Sequence, residues 1–288
     1  GCSNNLVQNN TIVNCVNKDA ADAPNDGAAI RLGFDGDGYF HSYNIIDNNY
    51  IDNNHRSDYG IALLGHGYEN RITNNTIKAC EEYGVMLYEK EYKDGTLPYV
   101  YRNIIDGNNI SDIGRVCVGT DPLRTPKGMG IYLQKAHYTV VTNNILDNVL
   151  QCPVDDPADI KLAQGAIGLG GSCGCTVANN VISKSGRDGI YISYSFNTTI
   201  TGNAIRNCTR NGIKLQDSSN VIVSGNTIKS AGVYGIEGTF SKLAEATYQY
   251  YQNMGELSLG NHTTGESIAI SDNSIEKLSG TTACLDIK

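Results

Sequence analysis

Six side chains able to move or hold protons recur within the first half of the chain: His66, Tyr88, Glu89, Lys90, Lys135 and His137. Histidine, lysine and tyrosine can remove a proton from a carbon beside a carboxylate, and a neighbouring cation can neutralise that carboxylate. Arg31, Glu89, Tyr132, Tyr191 and Lys214 add charges and flat aromatic faces of the kind that bind a ligand. Polar residues of these types are ordinary on any wet surface, so their chemistry depends on being lined up.

The metal-binding alternatives are thin. Nine cysteines (Cys2, Cys15, Cys80, Cys117, Cys152, Cys173, Cys175, Cys208 and Cys284) are spread along the chain, and the close pair Cys173 and Cys175 has one intervening residue where zinc sites use two to four. Asp35 and Asp37, in GFDGDGYF, could ligate Ca²⁺ but lack the further ligands that such a site needs. No other cofactor is implied. A formal charge of -8 with no Lys/Arg-rich block argues against nucleic acid as a partner. No apolar run approaches the roughly 18 residues of a membrane span.

What could line up the candidates is a repeat. GIYISYSFNTTITGNAIRNC, from Gly189 to Cys208, aligns without a gap on GIKLQDSSNVIVSGNTIKS, from Gly212 to Ser230. The frame G-I-x-(I/L), a polar turn, then (T/V)-I-x-G-N-x-I recurs from Tyr59, Gly128 and Gly165. Each copy reads as short strands with alternating inward Ile, Val and Leu, separated by turns that need Gly or Asn. A period near 23 residues between Gly189 and Gly212 returns every strand to the side of its predecessor. The chain must therefore coil into parallel sheets, an all-β parallel β-helix of about nine rungs. The asparagine before x-I is placed at Asn10, Asn49, Asn75, Asn108, Asn143, Asn179, Asn203, Asn226 and Asn273, which predicts a stacked ladder. Cys15, Cys80 and Cys208 each follow a ladder position by five residues and are expected to form a buried stack.

On this frame the outward positions of the G-I-x-L strand form a stripe of Arg31, Tyr132, Tyr191, Lys214, Glu237 and Asp286, with Tyr88, Gln134 and Gln216 at the next outward place. The turn that follows would gather His66, Glu89, Lys90, Lys135 and His137. One domain over residues 1–288 is expected, with loops near 33–42, 90–99, 114–127, 151–164 and 241–266; the last carries a short helix around 243–254. Sequons at Asn9, Asn74, Asn109, Asn197, Asn207 and Asn261 would suit a secreted glycoprotein.

The G-I-x-L and N-x-I pattern resembles the right-handed parallel β-helix repeat of the pectate-lyase-like superfamily over nearly the whole chain. That resemblance implies the fold, and a choice among pectin and alginate lyases, polygalacturonases, mannuronan epimerases, phage tailspikes and non-catalytic surface proteins. Gly65-His66-Gly67 resembles the Gly-His-Gly of polygalacturonases, without their preceding aspartate pair and with Arg71-Ile72-Thr73 where Arg-Ile-Lys should follow. The same stretch resembles the Arg-His-Gly segment of alginate and chondroitin lyases, with Gly65 at the arginine position. The Asp-Pro-His of mannuronan epimerases is absent.

Both ends are read as uncapped and in phase: ACLDIK followed by GCSNNLVQNNTIVNC would make one complete rung, bringing Cys284 beside Cys2. Either the chain is cut from a longer solenoid or copies stack head to tail. The expectation is an extracellular or cell-surface structural β-helix that self-associates end to end. The alternative is a polysaccharide-active enzyme, a uronate lyase, epimerase or glycoside hydrolase, with a groove on the β-helix face.

Overall fold

The computed structural model describes residues 2–15, 27–33, 40–89, 100–114, 128–149, 165–241, 265, 267–277 and 283–288. Most of the expected loops near 33–42, 90–99, 114–127, 151–164 and 241–266, with the expected helix around 243–254, lie outside these residues.

Each repeat contributes three strands, and each strand pairs in parallel with its counterpart one coil away, which builds three nine-stranded sheets. The first sheet runs from Leu6–Gln8 to Ala269–Ser271, the second from Thr11–Val13 to Ser274–Lys277, and the third from Ala28–Leu32 to Ala283–Ile287. A small fourth sheet joins Gly67–Tyr68, Val100–Tyr101 and Ala136–His137 at the corner between the third and first sheets. Among the described residues no helix forms, because the hydrophobic period is that of strands throughout.

Register stacks like on like. In the second sheet Ile51, Ile77, Ile110, Leu146, Ile182, Ile205 and Ile228 form one file, all but inaccessible to solvent. Corresponding files from the other two sheets meet them in one continuous core. Full burial of each such side chain is worth about 1.5–3 kcal/mol. On the second sheet the alternate residues face outward and are mostly polar or β-branched. The glycines of the G-I-x-L strands stand where coils approach closely. A Cβ at Gly212 would lie 2.4 Å from Cγ2 of Ile228 and 2.6 Å from the Gly235 carbonyl oxygen.

The corner between the first and second sheets assigns different tasks to adjacent residues. Asn9, Asn48, Asn74, Gly107, Asn143, Asn179, Gly202, Gly225 and Asp272 adopt left-handed backbone, with φ between 53° and 67°. The next residue in each coil forms the ladder: Asn10, Asn49, Asn75, Asn108, Asn144, Asn180, Asn203, Asn226 and Asn273. The backbone N–H and the Nδ2 of each donate to Oδ1 of the next at 2.9–3.1 Å. Two ladder positions are therefore corrected, from Asn143 to Asn144 and from Asn179 to Asn180. In coils five and six the residue after the ladder is itself apolar and outward, Ile145 at 49% and Val181 at 38% exposure, while Leu146 and Ile182 point in. The inward position of the hydrophobe two places on fixes which asparagine enters the ladder.

A second ladder, Asn5, Asn44, Asn70 and Asn103, lies at the corner between the third and first sheets. Seryl hydroxyls do similar work in a third column, where the N–H groups of Ala136, Ser172 and Ser195 donate to Oγ of Ser172, Ser195 and Ser218. Cys80 and Cys208 are buried and Cys15 half-buried, but they make no unbroken cysteine stack: Ser185 and Ala231 flank Cys208 in its file. Burial pushes both the Cys80 and Cys208 thiols up.

Candidate functional site

The outer face of the third sheet is the surface onto which the expected stripe falls. Arg31, Ala62, Met86, Tyr132, Gly168, Tyr191, Lys214, Glu237 and Asp286 are successive register partners across its nine strands. Tyr88, Gln134, Gly170, Ser193, Gln216 and Thr239 form the neighbouring file. The face divides by chemistry along its length. At coils two to four it is apolar, with Tyr59, Ala62, Leu64, Tyr83, Met86, Met129 and Tyr132 in a second buried cluster that also includes Tyr191. Tyr59, Tyr83 and Tyr132 stack with centroids 5.5 and 5.3 Å apart.

At coils six to eight the same face is polar and internally wired. Lys214 Nζ lies 2.7 Å from Glu237 Oε1 and donates to Thr239 Oγ1 at 2.8 Å. Asn211 Nδ2 donates to Glu237 Oε2 at 2.8 Å, and the Asn211 N–H donates to Asp188 Oδ1 at 2.9 Å. The Tyr191 hydroxyl donates to Gln216 Oε1. Lys214 and Glu237 are only 13% exposed, so water screens their pair weakly. Burial raises the Asp188 carboxyl to about 6. Burial likewise pushes the Tyr191 phenol up, so it serves as a hydrogen-bond donor and not as a base near neutral pH.

The structure carries the other expected residues to the turn after the third sheet. His137 and Glu89 meet there, with Nε2 3.8 Å from Oε2 and each side chain 1% exposed. His137 Nδ1 accepts the Cys173 N–H at 3.1 Å, which leaves the imidazole proton on Nε2, toward Glu89. Burial, with the nearby Lys135 charge, holds the His137 pKa down to about 4, so the ring is neutral at physiological pH. This contact ties one coil to the next. His66 is buried against Phe40, ring centroids 4.9 Å apart. Tyr88 and Lys135 are half-buried, and Lys90 lies outside the described residues. Arg31 donates from Nε to the Gly33 carbonyl at 3.0 Å, at the far end of the stripe.

Asp188, Asn211 and Thr239 were not singled out from the sequence. Their signal was available: Asp188 and Asn211 each precede the glycine of a G-I-x-L strand, where earlier coils place Tyr59 and Tyr83. Asn9, Asn74, Asn109, Asn197 and Asn207 of the sequons are exposed, and Asn261 lies outside the described residues, as do Asp35 and Asp37. Among the described residues no three His, Cys, Asp or Glu side chains gather as a metal site, and no helix is long and apolar enough to cross a membrane.

Three parallel sheets wound coil upon coil define a parallel β-helix. The family model for the right handed beta helix region matches residues 1–154, 95–237 and 129–286, and the chain belongs to that family. No curated protein matches its sequence. Among solved structures it is similar to the catalytic unit of a GH87 α-1,3-glucanase from Streptomyces thermodiastaticus, with TM-score 0.61, 14% identity, and coverage of 96% of this chain and 45% of that one. A mutant of the periplasmic alginate epimerase AlgG aligns with TM-score 0.56 and 17% identity over 86% of this chain and 50% of that one. A tailspike of an Acinetobacter phage aligns with TM-score 0.54 and 12% identity over 99% and 46%. The chain thus spans about half the length of these structures, and at such identities the likeness is one of fold.

Proposed function

We propose that this chain binds a polysaccharide outside the cell or at its surface, along the outer face of the third sheet, with Tyr191, Lys214, Gln216 and Glu237 at the centre of the contact. The observation that carries this reading is the wired polar cluster of coils six to eight. Acid, amine, amide and phenol groups are held there on rigid strands, in register, at about 4.8 Å per coil. A long ligand made of repeated hydroxylated units is the natural complement of so regular a row. The likeness in fold to a glucanase, an alginate epimerase and a phage tailspike supports the reading. The exposed sequon asparagines are open to glycosylation in the same setting.

Affinity electrophoresis through gels containing soluble glucans, galactomannan or alginate tests the proposal. At least one polymer should retard the protein, and Lys214→Ala or Tyr191→Ala should weaken that retardation about tenfold while the fold, followed by circular dichroism, persists. Unretarded migration in every gel, or variants that migrate like the parent, would refute it.

A second reading, end-to-end stacking, has its own observation. Inward-file side chains of the last coil are bare, Leu285 at 49% and Ile287 at 45%, although Ile236, the register partner of Leu285, is fully buried. Further coils of the same polypeptide or a second copy would cover them. Electron microscopy of dilute protein decides: rods that lengthen with concentration support self-association, and uniform short particles sink it.

A further inference from the structure

The corner between the third and first sheets carries a row of aromatic side chains that the sheet-face site does not use. Tyr43, Glu69, Arg102 and Tyr138 occupy equivalent places in four successive coils, their N–H groups donating to the carbonyls of Tyr68, Tyr101, His137 and Cys173. All four adopt left-handed backbone, with φ of 58°, 55°, 54° and 50°. In the remaining coils the chain fills this place with Asn4, Gly174, Asn197, Asn220 and Ser267, residues that tolerate the conformation at little cost. Tyrosine is strained by it, as are Glu69 and Arg102 in the same row.

Packing covers only about half of each tyrosine. Tyr43 is 47% and Tyr138 49% exposed. The Tyr138 ring lies on the backbone of Gly174, where an added Cβ would fall 2.4 Å from Cδ1 and 2.5 Å from Cε1. The ring is thus seated on glycine and still half-exposed. Tyr43 meets Tyr68 edge to face at 5.4 Å, and Tyr68 stacks on Tyr101 at 5.0 Å. Between the two outer tyrosines Arg102 and Glu69 lie 3.7 Å apart, half-exposed, so the strip carries donors and acceptors but no net charge. From Tyr43 to Tyr138 is three coil steps, about 14 Å.

We infer that Tyr43 and Tyr138, with Glu69 and Arg102 between them, form a second sugar-binding strip for the neutral pyranose rings of a glycan lying along the solenoid axis. The outer rings supply flat apolar faces for the C–H faces of the sugar, and the paired charges hydrogen-bond its hydroxyls. An acidic glycan gains nothing here, because Arg102 is already matched by Glu69. The inference rests on the proposal that the protein binds polysaccharide, but it concerns another surface and another set of residues.

The test uses Tyr43→Asn and Tyr138→Asn, which remove the rings while leaving a residue suited to left-handed backbone. The readouts are retardation in gels of dextran, galactomannan and alginate, together with the thermal midpoint. The expected result is a neutral glycan that retards the parent, at least fivefold weaker retardation in each variant, and midpoints equal to or above the parent's. A ring that served only the corner's packing would give the reverse, a lowered midpoint with unchanged retardation, and that overturns the inference. Retardation by alginate alone overturns it too. Lys214→Ala run in parallel separates the two surfaces. Loss of binding there with parent-like tyrosine variants keeps the sheet-face site and discards this one.

Discussion

Asn143 and Asn144 are chemically identical neighbours, and the account assigns them opposite importance. Asn144 is inaccessible to solvent. Its Oδ1 accepts from the N–H and Nδ2 of Asn108, both at 2.9 Å, and its Nδ2 donates to the Ile105 carbonyl and to Asn180 Oδ1, both at 3.0 Å. Asn144→Ala deletes these four bonds and leaves the Asn108 N–H buried beside a methyl group. At about 1 kcal/mol per bond the four come to about 4 kcal/mol, and the stranded donor adds about 1–3 kcal/mol. Asn143 is exposed, and its side chain makes one described bond, Nδ2 to Asp106 Oδ1 at 2.8 Å. Its task is φ of 56°, which Gly107, Gly202 and Gly225 perform in other coils. Asn143→Gly should therefore cost under about 0.5 kcal/mol, and Asn143→Ala about 1 kcal/mol through the left-handed backbone. Urea unfolding followed by circular dichroism at a strand band would rank the three variants. Equal losses for Asn143→Gly and Asn144→Ala would refute the division of labour at this corner.

Two buried titratable groups act in opposite pH windows. Asp188 has its pKa raised from 3.8 to about 6, so its contribution is present below 3.8 and is lost as pH rises through 6. Asp188→Asn, which keeps an acceptor for the Asn211 N–H, should stabilise the protein by about 2 kcal/mol at pH 7 and by nothing at pH 3.5 in thermal melts. His137 has its pKa lowered from 6.5 to about 4, so its contribution is present above 6.5 and is lost as pH falls through 4. His137→Gln should flatten that part of the acid-stability curve, and an unchanged curve would count against the buried neutral imidazole. Gly212→Ala, which drives a methyl into Ile228 and the Gly235 carbonyl, should cost about 2–3 kcal/mol in the same melts. Alkylation of the native protein with iodoacetamide, read by peptide mass spectrometry, should modify exposed Cys284 well before buried Cys80 and Cys208.

The fold was legible because a β-helix writes its cross-section into the sequence once per coil. The G-I-x-L strand and the N-x-I turn marked the strands, the inward files and the outer stripe, and Arg31 through Asp286 do share one register file. The ladder frame slipped at Asn143 and Asn179 because Asn-Asn followed by two apolar residues fits the turn in either of two frames, and only the inward file resolves it. The second ladder went unread although its members precede the first by a constant five residues, from Asn5 and Asn10 to Asn103 and Asn108. The site was less legible. Sequence spacing placed His66, Glu89 and His137 together, but it could not show that His137 is sealed from solvent and bonded to the next coil's backbone. Nor could it show that Lys214 is matched by Glu237 and Asn211, since outward-facing residues of one file look alike until their side chains are seen to reach each other. The left-handed tyrosines were hidden for a related reason: a positive φ at Tyr43 or Tyr138 leaves no mark in a single coil.

The most direct test of the polysaccharide reading is a crystal structure of the protein soaked with an oligosaccharide cut from whichever polymer retards it in gels. Sugar density is expected on the outer face of the third sheet, with a hydroxyl within hydrogen-bonding distance of Lys214, Gln216 or Glu237. Density confined to another surface, with that face bare, would contradict it.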